Sequence, residues 1–214
     1  MRDEWVIGID EAGRGPVIGP LVVAALAVPT KDLPLLKEMG VKDSKDLSAP
    51  QRLEIKSKII TMIDTHEWRI GTIICSPKRI DINKLDSDLN SLEIDLFAEA
   101  INATSISSKS GIIRADACDV DEVRFAGRLR KKIDGEWSRW TVEAEHGMDT
   151  KDLVTGGASI VAKVTRDSEI KEIESRTGIE IGSGYPSDQK TRIAVKKLLE
   201  NNLPHDCLRW SWAT

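Results

Sequence analysis

No stretch of the 214-residue chain approaches the roughly 18 consecutive apolar residues that a membrane-crossing helix needs, so none is expected. Met1-Arg2-Asp3-Glu4 has none of the long apolar run of a secretory leader, and a cytoplasmic location is the expectation. Cysteine is scarce. The three present (Cys75, Cys118 and Cys207) form no Cys-x-x-Cys pair and read as reduced residues of a cytosolic fold rather than a disulfide framework. The three histidines lack zinc-site spacing, which sets a structural zinc site aside. Positive charge is not in excess either: 31 Lys and Arg against 35 Asp and Glu leave a net charge of −4. A bulk basic footprint for nucleic acid is therefore missing. That sum does not exclude such a partner, because acids gathered around cations lower net charge without repelling a phosphate.

What is present begins at the N-terminus. Trp5–Asp10 reads as an apolar strand running into Asp10 and Glu11, then Gly13-Arg14-Gly15 and Pro16. Two acids at the tip of a buried strand pack poorly and suit metal chemistry. The glycines behind them let backbone N–H groups approach an anion closely, because they carry no Cβ. A regular strand points neighbouring side chains to opposite faces, so a site shared by Asp10 and Glu11 implies that the strand ends or bulges there. The glycines fail the dinucleotide fingerprint. Ile18 stands where a third glycine is required, and a strand-like run follows where a helix should.

Further strands are expected at Leu21–Val28, Trp68–Cys75, Gly111–Cys118 and Arg139–Glu145, the first of these too continuously apolar to have a wet face. One helix is expected after Ser48, with Leu53, Ile60 and Ile63 as its apolar stripe, and another after Asp88 carrying Leu89, Leu92, Leu96 and Ala100. A third starts at Asp119 or Asp121, a fourth runs through Ile160 and Val164, and a fifth, capped by Ser187, carries Ile193, Leu198 and Leu199. This order predicts an α/β fold, a mixed sheet with an antiparallel start and a helical tail. The basic stretch from Arg124 to Lys132 reads as a solvated helix face, with phosphate contact as the alternative.

Asp116 ends the fourth strand, and Asp149 follows the fifth, just before a helix. Acids at separate strand ends converge on one sheet edge, and an oxygen-only donor set favours hard cations such as Mg²⁺ or Mn²⁺. Two such ions can align a water and a leaving oxygen on one phosphate.

At this point the sequence resembles the ribonuclease HII family, most of all its archaeal members. The resemblance rests on the unbroken run from Asp10 to Pro20, Asp43-Ser44-Lys45, Asp116 to Val120, His146 with Asp149, Ala158 to Val164 with Arg166-Asp167, and Gly182 to Asp188. It implies a ribonuclease H-like five-stranded mixed sheet in residues 1–184, with a small helical region, 185–214, packed on it. It implies two divalent metals held by the catalytic carboxylates Asp10, Glu11, Asp116 and Asp149. Substrates would be RNA/DNA hybrids and duplex DNA with embedded ribonucleotides, cut on the 5′ side of the ribonucleotide to leave 3′-OH and 5′-phosphate. Gly13-Arg14-Gly15 would read the ribose 2′-OH through its backbone. Tyr185, the sole tyrosine, would stack on the following deoxyribose, and Lys45, Lys163 and Arg166 are candidate phosphate contacts, with support of a helix or pairing with the acids as the alternative. A monomer is expected. Asp46, Gly156-Gly157 and Asp152-Leu153 depart from the family's usual residues, which bears on the Lys45 loop and on the rigidity around Asp149. For Trp210 and Trp212, docking on the core is the expectation, with a partner contact as the alternative.

Overall fold

The computed structural model describes residues 4–107, 109–133, 135–200 and 205–212. Five strands form one sheet: β1 (Trp5–Ala12), β2 (Leu21–Pro29), β3 (Arg69–Cys75), β4 (Gly111–Asp116) and β5 (Trp140–Glu145). Their spatial order is β3-β2-β1-β4-β5. β2 runs antiparallel to both β1 and β3, whereas β4 and β5 run parallel to β1. The expected mixed sheet with an antiparallel start is what the chain builds. β2 is interior and buried along its whole length, as its unbroken apolar sequence requires.

The helices are α1 (Leu33–Glu38), α2 (Ala49–Thr65), α3 (Pro77–Asp86), α4 (Leu89–Ala103), α5 (Glu122–Lys132), α6 (Met148–Lys151), α7 (Leu153–Thr177) and α8 (Gln189–Leu199). They cover both sheet faces. Val6, Val22, Ala24 and Leu26 meet α1, α2 and α7 on one side. Ile7, Ile9, Val23 and Ala25 meet α3, α4 and α5 on the other. A third cluster joins Val17 and Ile18 to Ile170, Ile173, Ile181, Ala194, Leu198 and Leu208. Gly8 sets how closely α7 lies on β1, since a methyl group there would overlap the backbone of Val154 and Thr155. Among the described residues no helix is long and apolar enough to cross a membrane, and the three cysteines are unpaired.

Several local expectations need correction. In α2 the buried residues are Ile55 and Ile59, one turn apart, while Leu53 and Ile60 are exposed. Leu53 instead lines a groove of 520 Å³ with Pro50, Lys163, Arg166 and Tyr185. The cap of α8 is Asp188, which accepts from the Lys190 N–H, rather than Ser187, and Ile193 and Leu199 are exposed. Asp121, not Asp119, caps α5. The basic residues of that helix lie on a largely exposed face, as expected, and pair within the chain: Arg124 with Asp119, Arg128 with Ser91 and Lys132 with Asp95.

Candidate active site

β1 does not end or bulge at Asp10. Its pairing with β2 continues regularly to Ala12, while its pairing with β4 stops at Ile9 opposite Ala115. Asp10 and Glu11 therefore point to opposite faces, as a regular strand dictates. Asp10 faces α7 and Glu11 faces α4. Beyond Ile9 the β1–β4 pairing is absent, and this gap at the sheet's edge is where the acids gather.

Asp10, Asp116 and Asp149 each bring a carboxylate oxygen to within 4.8 Å of the others. Asp10 comes from β1 and Asp116 from the last residue of β4. Asp149 comes from α6, which follows the left-handed Gly147 (φ 66°). The Met148 N–H donates to Asp116 Oδ1 at 3.0 Å, fixing the start of α6 against β4. Gly156 lets α7 approach closely, since a Cβ there would lie 2.8 Å from the Asp149 carbonyl oxygen. Asp152 caps α7 by accepting from the Thr155 N–H at 2.8 Å, and Arg114 donates to it at 2.7 Å. The departures from the family pattern around Asp149 thus have structural counterparts.

The electrostatics are those of a buried anion cluster whose cationic neighbour, Lys45, is largely exposed and reaches only Asp149. Burial, then the neighbouring charges of Glu11 and Asp116, raise the Asp10 carboxyl well above its ordinary value, against hydrogen bonds from Ser159 and the Glu11 N–H. Burial also pushes Asp116 up to about 6, with the charges of Glu11 and Asp149 adding to it. Buried Asp149 Oδ1 has no hydrogen-bond partner among the described residues. An orphaned carboxylate oxygen beside two other buried acids is a poor protein core and a good hard-cation site. Lys45 Nζ stands 3.9 Å from Asp149 Oδ2 on a largely exposed side chain.

Glu11 is not part of that close triad. Its Oε2 lies 3.2 Å from Cys118 Sγ, and with Glu93 these residues form a second group. Glu93 on α4 is fully buried, and burial together with the Glu11 charge pushes its carboxyl up to about 8. Its salt-bridge partner is Arg14, whose Nη1 lies 2.9 Å from Glu93 Oε2. Arg14 also donates to the Cys118 carbonyl at 2.6 Å and to Asn90 Oδ1 at 2.7 Å.

The turn Gly13-Arg14-Gly15 depends on its glycines. Gly13 has φ 91°, and a Cβ there would overlap the Arg166 side chain. A Cβ on Gly15 would lie 3.3 Å from the Tyr185 ring, so Tyr185 sits beside the turn. The Val17 N–H donates to the Gly184 carbonyl at 2.8 Å, which pins the Tyr185 loop to β1's exit, and the Arg166 guanidinium stands 5.5 Å from the ring centre. Arg166, a candidate phosphate contact by sequence, donates to the Ser183 carbonyl at 2.8 Å and lies against the Tyr185 ring, whereas Ser159, Asn90, Glu93 and Arg209 have no individual role that the sequence announces. The one visible signal was Glu93, a charge inside the apolar stripe of α4.

Comparison with known proteins fixes the class. The ribonuclease H2 of Pyrococcus horikoshii superposes with a TM-score of 0.85 at 38% identity, over 97% of this chain and 93% of that one. The ribonuclease HII of Archaeoglobus fulgidus, solved in complex with PCNA, gives 0.84 at 34% identity over 98% and 95%. With the buried acid cluster, this fold defines a metal-dependent nuclease of the ribonuclease H type. The family profile described as Ribonuclease HII matches residues 7–214. The ribonuclease HII of Methanocella arvoryzae is 40% identical over 215 aligned positions, covering 100% of this chain and 91% of that protein. The chain belongs to the ribonuclease HII family, whose activity is cleavage of the RNA strand in RNA/DNA hybrids.

Proposed function

We propose that this ribonuclease also cuts duplex DNA on the 5′ side of an embedded ribonucleotide, leaving 3′-OH and 5′-phosphate, and does so with two divalent ions. Asp10, Glu11, Asp116 and Asp149 would hold Mg²⁺ or Mn²⁺. The observation that carries this reading is the convergence of Asp10, Asp116 and Asp149 with a partnerless Asp149 Oδ1. When bound, the ions supply the positive charge that aligns water and leaving oxygen and stabilises the phosphate's transition state. The chain's own residues do the rest. Ser159 and the Glu11 N–H orient the Asp10 carboxylate. Lys45 places an ammonium beside Asp149 for a neighbouring phosphate. Gly13, Arg14 and Gly15 present backbone groups to the 2′-OH, the group that separates RNA from DNA. Tyr185 beside Gly15 stacks on the next sugar. The protein acts as a cytoplasmic monomer, with residues 1–184 as the catalytic unit and 185–214 as a helical region packed against it.

The test is cleavage of a labelled duplex with one ribonucleotide, beside an all-DNA duplex and an RNA/DNA hybrid, with Mg²⁺, Mn²⁺ or EDTA. The expected result is metal-dependent cutting of the hybrid and, in the mixed duplex, only 5′ to the ribonucleotide. Cutting of the hybrid alone overturns the embedded-ribonucleotide reading.

A further inference from the structure

The turn's carbonyl oxygens are all tied to the C-terminal segment. Arg209 is buried, and its guanidinium donates through Nη2 to the Gly13 carbonyl at 2.6 Å, through Nη1 to Arg14 at 2.9 Å and through Nε to Gly19 at 2.9 Å. Trp212 lies over that guanidinium, 5.1 Å from it to the ring centre, and its indole N–H donates to the Gly15 carbonyl at 3.2 Å. The segment is held in turn: the Arg209 N–H donates to Val17 O at 2.9 Å, Gly19 N–H donates to Cys207 O at 2.8 Å, and Asp81 accepts from the Trp210 and Ser211 N–H groups.

Peptide planarity converts this into a consequence for the opposite side of the turn. In a trans peptide the C=O of one residue and the N–H of the next point in opposite directions. No peptide among the described residues is cis. Drawing the Gly13 and Arg14 carbonyls back to Arg209 therefore turns the Arg14 and Gly15 N–H groups away from it. Neither N–H has a hydrogen-bond acceptor among the described residues, and Gly15 is exposed beside Tyr185. The third peptide, whose carbonyl Trp212 holds, ends in Pro16 and offers no donor.

We infer that Arg209, covered by Trp212, is a positioning residue for ribose selection: it fixes the two peptide planes whose N–H groups face the substrate's 2′-OH. The inference rests on the proposed reading that this turn recognises the 2′-OH. Arg209 touches no substrate. It acts because a planar fork of donors satisfies several carbonyls in one fixed geometry, which a lysine ammonium cannot reproduce.

The test measures binding of a single-ribonucleotide duplex and of the matching all-DNA duplex by the full chain, in an Asp10→Asn background that blocks cleavage. Wild-type, Arg209→Lys, Arg209→Gln and Trp212→Phe versions of that background are compared, and kcat and KM are measured with Asp10 restored. The expected result is a preference for the ribonucleotide duplex that falls about tenfold or more in both Arg209 variants, the order of a lost charged hydrogen bond. It falls less in Trp212→Phe, while all-DNA affinity and Mn²⁺ binding stay unchanged. If the Arg209-intact protein binds both duplexes equally, the 2′-OH reading fails and the inference with it. If it discriminates, and folded Arg209 variants discriminate equally well, the inference alone is overturned. Should the Arg209 variants not fold, Trp212→Phe decides, and unchanged discrimination there overturns it.

Discussion

Burying Asp10 between Glu11 and Asp116 costs free energy that the polypeptide alone does not recover, and the same holds for Glu93 behind them. The sign of this cost over pH follows from linkage. Unfolded, these carboxyls titrate near pH 4. Folded, Asp116 titrates at about 6 and Glu93 at about 8. As pH rises through this window the unfolded chain holds fewer protons, so the metal-free protein loses stability. Glu93→Gln removes one of these groups. The variant should gain roughly 2 kcal/mol relative to wild type between pH 6 and pH 8, read from denaturant unfolding in EDTA. A stability difference constant across that range contradicts the burial argument. Cation binding runs the opposite way, because ligands must be deprotonated. Mn²⁺ affinity measured by calorimetry should rise severalfold from pH 5.5 to pH 7.5, as Asp116 ionises; a flat profile would remove Asp116 from the ligand set. At this scale the strand-tip acids were legible because an acid ending an apolar run has few other uses. Ser159, Asn90 and Arg209 were not, since their roles depend on neighbours 76 to 196 positions away.

The elements were legible where periodicity is long or unbroken. All five strands fall within two residues of their expected ends, and α4 buries Leu92, Leu96 and Ala100 as its spacing predicts. α2 misled because it carries apolar residues on more than one face, and packing against α7 selected Ile55 and Ile59. The short α1 and α3 went unread, as each carries a proline in its first turn and shows little period. Two element-scale contacts give measurable consequences. Gly8→Ala would force α7 off β1 and should cost at least ~3 kcal/mol in urea unfolding, an overpacking effect that relaxation cannot absorb against backbone atoms. Loss of less than ~1 kcal/mol would mean that the β1–α7 spacing is softer than the structure has it. Asp152→Ala removes the α7 cap and the Arg114 partner together, and should cost about 1–2 kcal/mol by the same measurement. An unchanged midpoint would show the cap to be replaceable by water.

Across the whole molecule the acid cluster sits where β1–β4 pairing stops, and chain segments distant in sequence close around it. β1 and β4 bring Asp10 and Asp116, the β5–α7 connection brings Asp149, and the C-terminal segment returns to hold the Gly13–Gly15 turn. Strand-tip placement pointed to Asp10, Asp116 and Asp149 coming together, but not to the two-sidedness that puts Glu11 with Glu93 and Cys118. Glu11 turns toward Cys118 and Glu93 because β1 stays regular, which no feature of Asp10-Glu11 announces. What most needs testing is the proposal that the buried carboxylates would hold the divalent cations on which phosphodiester hydrolysis depends. Its most direct test is single-turnover cleavage of a one-ribonucleotide duplex by wild type and Asp10→Asn over a range of Mn²⁺ concentrations, with thermal unfolding measured alongside. The account predicts a loss of orders of magnitude in rate at every Mn²⁺ concentration, with a melting temperature in EDTA no lower than wild type, since a buried charge has been removed. Near wild-type cleavage by a clean preparation of the folded variant would contradict it.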